Sequence, residues 1–186
     1  MEVGVELILR PILVLLGGSA LCPIAGLAEK KRIKEGIAIA AFLGALYFTY
    51  RLYRLVKEAG SLTAHLPLFE PPFGVSFYGD LLSVYMAFIF CGLGLLATVF
   101  SYRYMEVDTG LDKYYALLLG LVAGMVGVAF AGDLFNLYVF WELMCVCSYT
   151  IVSFRKYRWE AVEAGFKYLV MSTVGSLVAL SGIALI

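Results

Sequence analysis

Charge is scarce in this sequence. Only 15% of its 186 residues are Asp, Glu, Lys or Arg, and 14 acidic residues balance 14 basic ones. Without a basic excess there is no electrostatic footprint for a nucleic-acid backbone, so that class of partner is excluded. Histidine occurs once, as His65 in the proline-bearing stretch HLPLFEPP, where a solvated loop residue is the expectation. The four cysteines, Cys22, Cys91, Cys145 and Cys147, form no CxxC pair and all fall within apolar runs. Cys145 and Cys147 stand two apart and would face different sides of a helix. The thiols therefore read as small packing residues. The sequence lacks the ligand clusters a zinc or iron–sulfur site needs, so no metal and no cofactor is expected. The N-terminus lacks a positively charged n-region, since Glu2 and Glu6 precede Arg10, and Leu21 before Cys22 suits a lipoprotein cleavage site poorly. The first apolar run is thus expected to stay as a membrane helix, not to leave as a signal peptide. No nucleophile–base pair or phosphate-binding loop occurs at a usable spacing, so this chain is expected to carry no active site of its own.

What is abundant is apolar sequence: 62% of the residues are hydrophobic and the mean hydropathy is +0.91. A soluble domain does not need that much apolar surface, whereas a membrane-embedded bundle does. Six continuous segments stand out, at Leu7–Leu27, Ile37–Tyr53, Leu81–Phe100, Tyr114–Ala131, Asp133–Ser153 and Ala161–Ile186. Barrel strands would alternate over roughly 10 residues, whereas runs of about 20 apolar residues cross a bilayer as helices. The fold class is an all-α membrane protein of six transmembrane helices, read as one domain. Pro11 is placed in the first turn of the first helix and Pro23 near its end. Asp80 is placed as the N-cap of the third. Gly120-x-x-x-Gly124 gives the fourth a face of small residues that admits a close neighbour. The polar, proline-rich connection from Lys57 to Gly79 has room for a hairpin or a re-entrant cap.

Lys and Arg are distributed unevenly. Nine (Lys30, Lys31, Arg32, Lys34, Arg103, Lys113, Arg155, Lys156, Arg158) follow the first, third and fifth helices, and four (Arg10, Arg51, Arg54, Lys57) lie at the opposite ends. By the positive-inside rule both termini face outward in the cell (inner) membrane and the nine-charge loops face the cytoplasm.

The fourteenth basic residue, Lys167, lies within an apolar run, and Glu142 sits near the middle of another, GDLFNLYVFWELMCVCSYTIVS. A carboxylate at that depth costs at least ~2.5 kcal/mol against lipid, so it must face protein or water. At helical spacing Glu142 shares its face with Tyr138 and Tyr149, which can donate to it or order water beside it. The competing reading is an interhelical polar clamp, a role that Ser, Asn or Gln fills without the desolvation cost of an acid. Lys167 is roughly 9 Å from the start of its helix and Glu142 about 18 Å from the same membrane face, at 1.5 Å per residue. A lysine stem and one or two waters can bridge the difference. Glu163, four residues before Lys167, offers a second partner, and a switch between the two acids would suit proton chemistry. Snorkelling of Lys167 to the interface stands beside that reading as its equal. Asp133 and Asn136 fit an N-cap and its support, with ion handling at the outer mouth as a further role for Asp133.

The blocks AGDLFNLYVFWELM and AGFKYLVMSTVGSL, with YALLLGLVAGMVGVAFAGD, YGDLLS and FSYRYME before them, resemble the antiporter-like membrane subunits of respiratory complex I and of Mrp cation/proton antiporters. Within that family the sequence resembles the D-type Mrp protein and its relatives in archaeal membrane-bound hydrogenase and sulfane-reductase complexes. The likeness covers roughly residues 75–186. It implies that Glu142 is the ionisable glutamate of the fifth helix and Lys167 the lysine of the sixth, at the start of a charged axis moving H+ or Na+. It also implies an outward N-terminus and a non-catalytic role within a redox-driven ion translocase or a secondary antiporter. The family pattern continues through about fourteen helices, including a broken seventh helix with a second lysine. Other membrane subunits are therefore expected as partners, among them a chain supplying the broken helix. The alternative is a degenerate, non-conducting subunit that bridges or seals the membrane arm of such a complex.

Overall fold

In a computed structural model, which describes residues 2–26, 31–65, 75–105 and 110–185, the chain forms six helices and one small hairpin. The helices are α1 (Glu2–Gly26), α2 (Lys31–Ala59), α3 (Leu81–Tyr104), α4 (Leu111–Phe130), α5 (Leu134–Val152) and α6 (Trp159–Ala184). All six contain a stretch long and apolar enough to cross a membrane. The protein is a multi-pass, all-α membrane bundle.

Helix α4 is the hub. It packs chiefly on α1 and α5, and also on α2 and α3, while α6 packs chiefly on α5. Its glycines explain the contact with α5. A Cβ at Gly120 would lie 2.9 Å from the Cys147 sulfur, and one at Gly124 would lie 2.8 Å from the Met144 backbone nitrogen. Gly127, one turn further, faces the Phe140 ring in the same way. With hydrogen in place of methyl, the two backbones close up and gain dispersion contacts along three turns. Cys22, Cys91, Cys145 and Cys147 are all buried free thiols, which suits their expected role as small packing side chains.

Asp80 caps α3 as anticipated, its carboxylate accepting the Ser83 N–H at 2.7 Å. The connection between α2 and α3 carries the antiparallel hairpin β1 (Leu62–His65) and β2 (Ser76–Gly79), in register from Leu62 opposite Gly79 to His65 opposite Ser76. His65 closes β1. The proline-rich stretch at 66–74 lies outside the described residues.

Helix limits differ from the expectation most in α1 and α2; α3 also runs on to Tyr104 and α4 starts at Leu111, so Arg103 and Lys113 are helical and not in a loop. Pro11 is inside α1, which begins at Glu2, and not in its first turn. An interior proline, like Pro23 further on, removes one backbone hydrogen bond, a loss that membrane helices tolerate where neighbouring groups satisfy the freed carbonyl. Helix α2 is longer at both ends than 37–53, so Lys31, Arg32 and Lys34 belong to its first turn and not to a loop, and Arg51, Arg54 and Lys57 to its last turns. Long cationic stems can reach polar surroundings from within a helix, so charge marks a membrane boundary without ending the helix.

Candidate functional site

Asp133 fixes the entry to α5. Its carboxylate accepts the Asn136 N–H at 2.6 Å as an N-cap, and also the Ser76 N–H at 2.8 Å and the Ser76 hydroxyl at 3.1 Å. The buried Asn136 amide donates to the Ser76 carbonyl at 3.1 Å, and the Gly132 N–H donates to the same carbonyl at 2.9 Å. The hairpin is thereby bolted across the α4–α5 junction. Asp133 stands in this cap with both carboxylate oxygens engaged.

Glu142 follows nine residues on, about 14 Å deeper at 1.5 Å per residue. Its Oε1 is buried and has no hydrogen-bond partner among the described residues. Tyr138, one turn earlier on the same face, is in electrostatic contact with the carboxyl group. A buried acceptor without a donor costs about 1–3 kcal/mol, so a native structure keeps one for a purpose or fills the place with water or an ion. Beside Tyr138 a cavity of about 120 Å³ opens between α5 and α6, lined by Leu137, Trp141, Gly175, Ser176, Ala179 and Ile183.

Lys167 is not ion-paired with Glu142. Its ammonium bonds Glu163 at 2.6 Å, one turn toward the start of α6, and both side chains are open (72% and 46% exposed). Of the two acids the spacing left open, the structure takes the nearer one. Tyr149 also stands apart from Glu142: its ring packs edge-on against Tyr168 of α6, whose hydroxyl lies 3.0 Å from Ser148. Of the six residues singled out from sequence, the structure thus brings together Glu142 with Tyr138 and Lys167 with Glu163, in two separate groups.

A second charged cluster was not anticipated. Lys34 of α2 pairs with Asp112 of α4 at 3.5 Å, with side chains only 14% and 20% exposed. Glu35 is buried beside it in sequence, and the Tyr115 hydroxyl is buried without a partner among the described residues. The Cys22 thiol points to the Lys34 carbonyl at 3.9 Å, and Gly26 of α1 leaves room for the Asp112 carboxylate, which a Cβ there would meet at 3.0 Å. Counted with its neighbours as a topology charge, Lys34 gave no sign of this. The only signal was an acid in the first turn of α4, and a partner 78 residues away is invisible to local spacing.

Two family models match this chain. "NADH:quinone oxidoreductase/Mrp antiporter, TM" covers residues 131–186, and "NADH-Ubiquinone oxidoreductase (complex I), chain 5 N-terminus" covers residues 70–115. Together they take in more than half of the sequence, including Glu142, Glu163 and Lys167. The chain belongs to the antiporter-like family of membrane subunits. The D-type component of a Na(+)/H(+) antiporter from Alkalihalophilus pseudofirmus is 28% identical over 97% of this chain and 36% of its own length. The N-type component of F(420)H(2) dehydrogenase from Methanosarcina mazei is 25% identical over 97% of the chain and 34% of its own length. Among solved structures, a chain of the membrane-bound sulfane sulfur reductase, an archaeal respiratory complex, superposes with a TM-score of 0.83 at 26% identity, covering all of this chain and 37% of that one. A chain of the Mrp complex from Dietzia sp. gives 0.81 at 25% identity, covering 99% of this chain and 34% of that one. This antiporter-like chain spans about a third of the length of these relatives.

Proposed function

We propose that this chain is a membrane subunit of a multi-subunit complex that moves protons or sodium ions, and that Glu142 lies on the ion's route. The observation that carries the reading is the Glu142 Oε1, buried within a spanning helix without a hydrogen-bond partner among the described residues, next to the Tyr138 side chain. A carboxylate oxygen left so inside a bilayer is expensive, so a hydrated cation, a water or a basic neighbour completes it during the cycle. The Tyr138 hydroxyl, in contact with the carboxyl group, can order a water toward it. Lys167, held on Glu163, is the mobile cation of the proposal: release from Glu163 frees its long stem to swing toward Glu142. Asp133 marks the outer end of α5, and Tyr149 with Tyr168 sets the spacing of α6.

The orientation that goes with this function puts the N-terminus outside and Lys34, Arg103, Arg155, Lys156 and Arg158 at the cytoplasmic face. Neighbouring membrane subunits cover the open faces of α5 and α6. Similarity to antiporter and dehydrogenase components supports that setting.

A structural, non-conducting role is favoured by one observation: the Lys167–Glu163 pair is already closed and sits on the open side of α6. Transport separates the readings. In vesicles carrying the intact complex, Glu142→Gln is expected to abolish proton or sodium movement while leaving subunit composition unchanged. Full transport by the assembled variant would leave the chain a bridge and nothing more.

A further inference from the structure

We infer that the groove between the end of α2 and the start of α3 is a binding site for an anionic phospholipid. The cavity holds about 540 Å³ and is lined by Tyr50, Tyr53, Leu81, Leu82, Tyr85 and Phe88. That size is within the ordinary range of a ligand pocket. Its wall is aromatic and aliphatic apart from three phenol hydroxyls, so the body of its occupant is apolar.

The charge is at one end. Tyr50, Tyr53, Arg54 and Lys57 follow at i, i+3, i+4 and i+7, so the face of α2 that lines the groove continues into two cations toward the helix end. Arg54 and Lys57 are exposed and make no hydrogen bond or ion pair among the described residues, in contrast to Lys34, Lys167 and Arg10, each of which holds a carboxylate. Among the described residues, the acids beside this end of α2 and start of α3 are Glu58, on the neighbouring face of α2, and Asp80, whose carboxylate is turned into its own cap on Ser83. Tyrosines at this level of a spanning helix sit where hydrocarbon meets headgroup. An acyl chain against the tyrosine and leucine side chains, with its phosphate between the Arg54 guanidinium and the Lys57 ammonium, satisfies both ends of the site. A zwitterionic lipid fills the groove equally well but brings a positive headgroup to the same two cations. Selection is therefore by headgroup charge.

The test uses the full chain in nanodiscs of equal phosphatidylglycerol and phosphatidylcholine, with the lipids that stay bound counted by native mass spectrometry. The chain is expected to retain phosphatidylglycerol about tenfold over phosphatidylcholine, as two cations near an anionic headgroup provide. R54Q/K57Q, which changes only exposed side chains, is expected to bind both lipids equally, and Leu82→Trp, which fills the groove, to retain fewer of either. Equal retention by the unaltered chain, or an unchanged preference in R54Q/K57Q, overturns the site. So does a photo-crosslinking amino acid in place of Tyr85 that captures protein and no lipid.

Discussion

The bundle has a packed side and an open side. In α4, 56% of the most apolar window is buried within the chain, against 6% in α6. Ionisable groups behave differently on the two sides. Lys34 and Asp112 are enclosed by α1, α2 and α4 and hold one another, whereas Glu142 stands where the packed side ends, one oxygen buried and unmet among the described residues. A charge pair inside a finished core stabilises or locks. On the proposed function, the acid at the edge of the packed side is the one that exchanges the ion. The packed side also holds an unmet hydroxyl among the described residues, that of Tyr115, so the contrast lies in the acids: Asp112 is paired, and Glu142 has one oxygen unmet.

The contrast can be broken in steps. The largest effect is expected at the α4–α5 contact, where Gly124→Leu drives a side chain into the Met144 backbone. Overpacking of a tight core costs about 1–3 kcal/mol or more, so the variant should melt well below the parent in detergent or fail to assemble. Gly175→Leu on α6, where a Cβ would meet nothing within 4 Å, should melt with the parent. Equal losses at the two glycines would erase the distinction between the sides.

Next comes the buried pair. Asp112→Asn strands the Lys34 ammonium, and breaking such a pair costs as much as about 3–5 kcal/mol when fully buried, less here because both groups retain some exposure. The double change Lys34→Met with Asp112→Leu should recover most of the lost melting temperature. On the open side, Glu163→Gln should cost under about 1 kcal/mol, as exposed helical pairs do. Thermal melts of the three variants, side by side, give the order directly.

The smallest effect belongs to the α3 cap. Asp80→Ala should cost about 1 kcal/mol. The Ser83 N–H donated to it holds the Asp80 carboxyl below its ordinary value of 3.8. Its folded value is the depressed one, so the contribution is present above the unfolded value and fades as pH falls through it toward the folded one. Melting curves of Asp80→Asn and the parent should therefore converge on acidification below about pH 4. A gap that stays constant would mean the carboxylate has no part in the cap.

Local features were legible in the sequence because they are written in neighbouring residues. Run length gave the six helices, an Asp before an apolar run gave the α3 cap, and Gly120 with Gly124 gave the close face of α4. The proline-rich connection gave room for a hairpin. What was not legible joins distant residues or depends on where helices end. Lys34 and Asp112 are 78 positions apart, and Ser76 reaches Asp133 over 57. The ends of α2 are not legible from composition because charges there resemble a loop, although long stems let them stay helical. For Lys167, spacing allowed Glu163 or Glu142, and the i,i+4 geometry on one helix took precedence over a reach between helices.

Infrared difference spectroscopy on the intact complex addresses Glu142 most directly. If its carboxyl takes up and releases a proton or cation during turnover, imposing an ion gradient should change a carboxyl band that disappears in Glu142→Gln and shifts with carboxyl-labelled glutamate. A difference spectrum identical in the parent and in Glu142→Gln would show that this acid keeps one state throughout, and would contradict its place on the ion's route.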